Sequence, residues 1–294
     1  MNGRLVSFFG IVTILVLTFS MLLKFQVVKA EPETIYIRAN GLVEGSDKIV
    51  TVDNVTYTFI GNITDSIVIE RNNIIIDGAG KTVQGTGVYP SKGIDLHERT
   101  NVTISNAQIK NFYFGIRLGS SSNNSISGNN ITNNQDGMYL DWSYNNTIIG
   151  NNITANNDIG FYLHCSSNNS IIGNNITNNW RGIYLDHCSN NSIFHNNFID
   201  NTQQVYIDNS VNFWDNGYPS GGNYWSDYNG VDSDGDGIGD TPYTINADNI
   251  DRYPLMNTYV IPEFPSFLIL PLFMMATLLA TIVCRRKRMR FNRG

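Results

Sequence analysis

The chain has 294 residues, of which 15% are charged and 41% hydrophobic, and a formal net charge of −6. That charge conceals a division: residues 31–262 hold ten Lys/Arg against 24 Asp/Glu, a formal −14, and the remaining nine basic residues lie at the two apolar ends. So acidic a body repels a phosphate backbone, which excludes nucleic acid as a partner, and apolar positions recurring in register exclude a disordered chain.

Residues 1–30 read as a secretory signal peptide. Arg4 precedes an apolar run from Leu5 to Leu23, and Val28-Lys29-Ala30 fits cleavage after Ala30. An uncleaved anchor is the alternative, because the run is long and Lys24 interrupts its end. Residues 31–65 alternate as short strands (Ile35-Tyr36-Ile37, Ile49-Val50-Thr51-Val52, Tyr57-Thr58-Phe59-Ile60) and are expected to form an N-terminal cap over an open sheet edge.

Residues 66–213 repeat. Asn123-Asn124-Ser125-Ile126, Asn145-Asn146-Thr147-Ile148, Asn168-Asn169-Ser170-Ile171 and Asn190-Asn191-Ser192-Ile193 follow one another at intervals of 22, 23 and 22 residues. Each unit continues with a phrase such as Gly150-Asn151-Asn152-Ile153-Thr154 and closes on one such as Gly160-Phe161-Tyr162-Leu163. Apolar pairs separated by Asn, Gly, Ser and Thr give three short strands per unit, since Asn and Gly accept left-handed turn conformations. One such coil cannot bury its own inward face, so it must lie on the next. The fold class is therefore all-β, a single-stranded right-handed parallel β-helix of roughly seven coils, with Ile ladders inside and Asn ladders at the turns.

Aligning the units on Leu140, Leu163 and Leu185 puts Asp141, His164 and Asp186 in one column, Trp142, Cys165 and His187 in the next, and Cys188 one place further. Three readings stay open: a Cys165–Cys188 disulfide between adjacent coils, a soft-metal site of His164, Cys165, His187 and Cys188 for copper or zinc, or exposed turn residues. A glycosidase needs paired carboxylates, which Asp136, Asp141, Asp158 and Asp186 offer. A lyase needs a base, for which Arg117 and Arg181 are isolated candidates. Asn54, Asn62, Asn101, Asn130, Asn152 and Asn175 stand in N-glycosylation sequons.

Residues 214–260 read as a C-terminal cap carrying Asp232-Ser233-Asp234-Gly235-Asp236-Gly237-Ile238-Gly239-Asp240. Asp232, Asp234, Asp236 and Asp240, with a backbone carbonyl near Ile238, would converge on calcium. Position 12 is Tyr243 rather than a bidentate Glu, and the loop is more similar to those of thrombospondin type 3 and dockerin repeats. Together with Trp214, Tyr224, Trp225, Tyr228 and Tyr253, the loop is expected to cover the last open coil. Residues 261–294 hold Pro262-Glu263-Phe264, an apolar run from Phe267 to Cys284, and Arg285-Arg286-Lys287-Arg288. That order suits one membrane span with the basic cluster inside and the body outside. It also resembles the tripartite tail read by archaeosortases, which implies cleavage near Pro262 and a lipid anchor.

The run from Ser66-Ile67-Val68-Ile69-Glu70 to Asp77-Gly78-Ala79-Gly80, the Asn-Asn-Ser-Ile repeats, and Gly222-Asn223-Tyr224-Trp225-Ser226-Asp227-Tyr228 resemble archaeal proteins with a NosD-type β-helix, within the pectin-lyase-like group of carbohydrate-binding and sugar-hydrolase repeats. The resemblance covers residues 34–256. It implies a periplasmic family that assists copper-site maturation of nitrous-oxide reductase. The expectation is a monomeric, surface-anchored, noncatalytic protein that binds glycans or envelope components. A polysaccharide lyase or hydrolase and a copper-binding accessory protein are the alternatives.

Overall fold

The structure, a computed structural model, describes residues 34–260. The signal peptide, Pro262, Glu263, Phe264 and the C-terminal apolar run lie outside the described residues. No helix among those described is long and apolar enough to cross a membrane.

The chain winds into a right-handed parallel β-helix with three sheets running its length, of nine, seven and nine strands. One coil explains the rest. Ser125–Ser127, Asn130–Thr132 and Asp136–Asp141 each contribute a strand to a different sheet, and each pairs in register with the equivalent strand one coil on: Ile126 with Ile148, Ile131 with Ile153, Leu140 with Leu163. The sheet containing Asp136–Asp141 has six-residue strands over most of its length and is called here the long-strand sheet.

Alternation along each strand sends one set of side chains inward. Ile104, Ile126, Ile148, Ile171 and Ile193 are fully buried, as are Ile131, Ile153 and Ile176, and Leu118, Leu140, Leu163 and Leu185. Each such side chain contributes roughly 1.5–3 kcal/mol by leaving water. The bends between strands are built from asparagine pairs with divided roles. The first member (Asn123, Asn145, Asn168, Asn190) takes a positive φ of 56° to 58°. The second (Asn124, Asn146, Asn169, Asn191) is buried and passes its amide up the axis: from Asn146 onward its Oδ1 accepts both the backbone N–H and the Nδ2 of its counterpart in the preceding coil, and Asn124 Oδ1 accepts from Val102 N. A glycine opens the inward part of the closing phrase because nothing larger fits there. A Cβ on Gly137 would lie 2.5 Å from the carbonyl oxygen of Gly160.

Both ends are covered by antiparallel strands that turn the open edge away from further pairing. Val43–Glu44 lies on Ile35–Ile37 and Ile49–Val50 on Thr56–Phe59, so the first parallel strands already begin at residues 35 and 56. At the other end Phe198, Trp225 and Tyr243 stack at 4.4 and 4.2 Å, with Trp214 beside them and buried. The hairpin of Tyr243–Asn246 and Asn249–Asp251 then ends two of the amide ladders: Asn249 Oδ1 accepts from Asn212 N, and Asp251 Oδ2 from Asn223 N.

Candidate functional site

The outward side chains of the long-strand sheet carry the molecule's densest chemistry. Met138 and Leu140 point inward, so Tyr139 and Asp141 point out. Stacking repeats that choice: Tyr139, Tyr162, Tyr184 and Tyr206 form one outer column in strict register. Phe114 joins its start, and ring centroids from Phe114 to Tyr184 are 4.6 to 5.0 Å apart. Packing of one ring on the next removes water from their sides. Burial, with Asp141 nearby, pushes the Tyr139 hydroxyl up to about 12, so it remains protonated at any ordinary pH.

On the C-terminal side of the tyrosines, Asp141, His164, Asp186 and Asp208 form the next outer column. His164 Nδ1 lies 2.8 Å from Asp141 Oδ1, within hydrogen-bond range, and its Nε2 lies 3.8 Å from Asp186 Oδ2, so one imidazole sits between two carboxylates and is bonded to the first. Tyr162 donates to Asp186 Oδ2 at 3.3 Å, and His187 Nδ1 is 2.6 Å from Asp186 Oδ1. Trp142 stands half exposed in the adjoining turn.

On the N-terminal side lie Asp136, Asp158, Trp180 and Arg181. Asp136 is buried and accepts from Ile159 N, and its burial, reinforced by the Asp158 charge, raises it to about 7. Arg181 Nη1 is 3.8 Å from Asp158 Oδ1, beyond hydrogen-bond range. Asp158 Oδ1 and Arg181 Nε have no hydrogen-bond partner among the described residues. The guanidinium lies 4.2 Å from the Trp180 ring centroid and 4.9 Å from that of Tyr206. Arg117, the other candidate base, is tied to Asp95 at 3.3 Å, and Lys92 shares the same carboxylate at 2.7 Å.

The four soft donors do not converge. Cys165 stacks on His187 through the turn, whereas Cys188 follows Ser166 in a buried ladder that runs Ser121, Ser143, Ser166, Cys188, Ser210. There Cys188 Sγ accepts from Ser166 N and donates toward Leu163 O and Asp186 O, and burial pushes its thiol up to about 11. Both cysteines are free thiols, so of the three open readings the disulfide is not formed. One side chain faces the interior and the other the outer turn, because they occupy different positions of the repeat. Cys165 and His164 remain neighbours, with Sγ 3.5 Å from Nε2. Cys188 thus does a serine's work, and Cys188→Ser should change stability by less than about 1 kcal/mol in urea unfolding.

The acidic loop of the C-terminal cap brings carboxylate oxygens of Asp232, Asp234 and Asp236 within 4.8 Å of one another. Asp232 accepts from the backbone N–H groups of Gly235, Asp236 and Gly237, which hold its carboxyl below the usual range. Asp240 instead accepts from Ser233 N. Ile238 is buried and bridges Leu255, fastening the loop to the cap. The repeat alignment singles out the Asp141 column but is silent on the tyrosine two positions earlier, although its recurrence in four closing phrases was the available signal.

The family model described as periplasmic copper-binding protein (NosD) matches residues 29–230. No curated protein sequence matches the chain. Among solved structures, the periplasmic alginate epimerase AlgG is similar at 22% identity and a TM-score of 0.44, over 50% of this chain and 38% of that one. The A-module of Azotobacter vinelandii mannuronan C-5 epimerase AlgE6 is similar at 15% identity and a TM-score of 0.45, over 53% and 51%. The chain thus spans between two fifths and half of these proteins, and the likeness is one of fold.

Proposed function

Because the chain belongs to the NosD family of periplasmic copper-binding proteins, we propose that it works outside the cytoplasm as a β-helix that binds polysaccharide along the outer face of its long-strand sheet. The observation that carries this reading is the column of Tyr139, Tyr162, Tyr184 and Tyr206 between two rows of polar side chains, with Trp142 and Trp180 exposed at the borders. Sugars are bound by that combination: the exposed indoles of Trp142 and Trp180 for the ring faces, and tyrosine hydroxyls, carboxylates and guanidinium for the hydroxyl groups, the faces of the stacked tyrosine rings being covered by one another. The face extends through successive coils at about 4.8 Å each, which suits a chain-like ligand. The test is affinity electrophoresis of the full-length chain, solubilised in detergent, through gels containing polysaccharides of different charge. Retardation that is lost in Trp142→Ala/Trp180→Ala is the expected result, and unchanged mobility in every gel would overturn the reading.

The family's copper does not fit a His/Cys centre here. Cys188 is buried among backbone partners, and His164 and His187 are held by carboxylates, which leaves one soft-donor contact among the described residues, His164 Nε2 to Cys165 Sγ at 3.5 Å. No step of the proposed function uses the metal.

A hydrolytic second reading is favoured by one observation. Asp136, raised to about 7 by burial, and Asp158 one coil on sit in unlike environments, as an acid and a base of glycoside hydrolysis do. Release of reducing ends that disappears in Asp136→Asn would establish it.

The Asp232, Asp234, Asp236 and Asp240 loop we read as a structural calcium clip. At 1 mM calcium and a Kd near 10⁻⁴ M the stabilisation is about 1.4 kcal/mol, or roughly 3–5 °C in Tm. Calorimetry should find that rise in the parent and none in Asp234→Asn/Asp236→Asn.

A further inference from the structure

The binding face has a charge pattern that selects among polysaccharides. At its N-terminal coils, Lys92 and Arg117 share the one carboxylate of Asp95, a local excess of one positive charge. From Asp141 onward the balance shifts: Asp141, Asp158, Asp186 and Asp208 stand on or beside the sheet, and Arg181 is the cation among them. A polymer with a carboxylate on each sugar would set like charges against these rows along its length, which disfavours association.

One corner of the face is also built for uncharged hydroxyls. The Asp158 and Arg181 side chains lie 3.8 Å apart without a hydrogen bond between them; Asp158 Oδ1 and Arg181 Nε are buried, and the rest of the two head groups carries their 32% and 22% side-chain exposure. Side by side, the carboxylate accepts from one hydroxyl and the guanidinium donates to its neighbour, the demand of a vicinal diol. Next to them Trp180 is 48% exposed with Arg181 over its ring, which leaves apolar indole surface beside the polar pair.

We propose that the polysaccharide bound on the long-strand face is uncharged, and that Trp180, Arg181 and Asp158 form the subsite for one of its pyranose rings. This rests on the polysaccharide-binding reading above and names its ligand class.

The experiment compares the full-length chain, in detergent, against a soluble β-glucan, a mannan, alginate and chitosan, at low and at moderate salt. Retention by a neutral polymer, little changed by salt and weakened roughly tenfold or more by Trp180→Ala and by Asp158→Ala with Tm preserved, is expected. Tighter binding of alginate overturns the charge inference and leaves polysaccharide binding standing. Retention by chitosan alone, lost in salt, overturns it in favour of simple charge attraction. Neutral-polymer binding indifferent to both substitutions overturns the subsite. No binding to any of the four removes the underlying reading itself.

Discussion

Replacing Asn174 by alanine should destabilise the protein by about 3–5 kcal/mol, a large share of the roughly 5–15 kcal/mol a domain possesses. Asn174 is fully buried in the middle of a ladder that runs Asn129, Asn151, Asn174, Asn196, Asn223. Its Oδ1 accepts from Asn151 N at 2.9 Å and Asn151 Nδ2 at 3.0 Å. Its Nδ2 donates to Ile148 O, Ile172 O and Asn196 Oδ1. Truncation leaves Asn151 N without its acceptor and takes one partner each from Asn151 Nδ2, Ile148 O and Ile172 O where water does not reach, and each buried orphan costs about 1–3 kcal/mol before relaxation. Asn175, the next residue, points outward and is half exposed, so Asn175→Ala should cost less than about 1 kcal/mol. Urea midpoints of the two variants decide the matter. Equal midpoints would mean that the ladder does not hold the coils together.

Those two adjacent asparagines also mark where sequence reading stops. The 22- to 23-residue period, the three strands per coil and the inward Ile and Leu positions follow from the pattern of apolar residues alone. The pattern also places Asp141, His164 and Asp186 in one column, as the register has them. Which member of an Asn-Asn pair turns inward is a matter of backbone conformation: Asn168 takes φ of 58° and faces solvent, and Asn169 is buried. Composition cannot separate them. The same limit misplaces Cys188. Counting from Leu185 sets it beside His187 as a possible ligand, but its repeat position is that of Ser143 and Ser166, a slot whose inward direction is fixed by hydrogen bonds to carbonyls of its own and the preceding coil. Asp158 and Arg181 were visible as residues, but their meeting beside Trp180 depends on the turn that precedes the strand. Long-range closure was the least legible. Nothing local to Asn249 or Asp251 announces that they complete ladders begun more than a hundred residues earlier.

Asp251 is the point at which that closure is most exposed to test. Its carboxyl is buried and accepts from Asn223 N at 2.7 Å, Trp225 Nε1 at 2.9 Å and Tyr253 N at 3.1 Å. Asp251→Ala should therefore strip partners from the last ladder asparagine and from the tryptophan that stacks between Phe198 and Tyr243, at a cost of about 3–5 kcal/mol. The pH dependence gives a sharper signature. Burial outweighs these donors and raises the carboxyl from 3.8 to about 6. A raised carboxyl binds its proton more tightly folded than unfolded, so its contribution is fully present below the unfolded pKa and is lost as pH rises through about 6. The loss amounts to about 2 kcal/mol between pH 4 and 7 on the scale of 1.36 kcal/mol per unit. Asp136 adds a slope of the same sign ending near 7, and Asp232, whose carboxyl is held low, acts in the opposite direction below the usual carboxylate range. Comparing the parent with Asp251→Asn separates these. The amide retains an oxygen acceptor and cannot ionise, so its urea midpoints should fall less steeply between pH 4.5 and 7.5 than the parent's, narrowing or reversing any gap that exists at low pH. Parallel curves would mean that Asp251 folds already ionised, with its three donors outweighing burial, and the ladder would then end on a charge rather than on a shared proton.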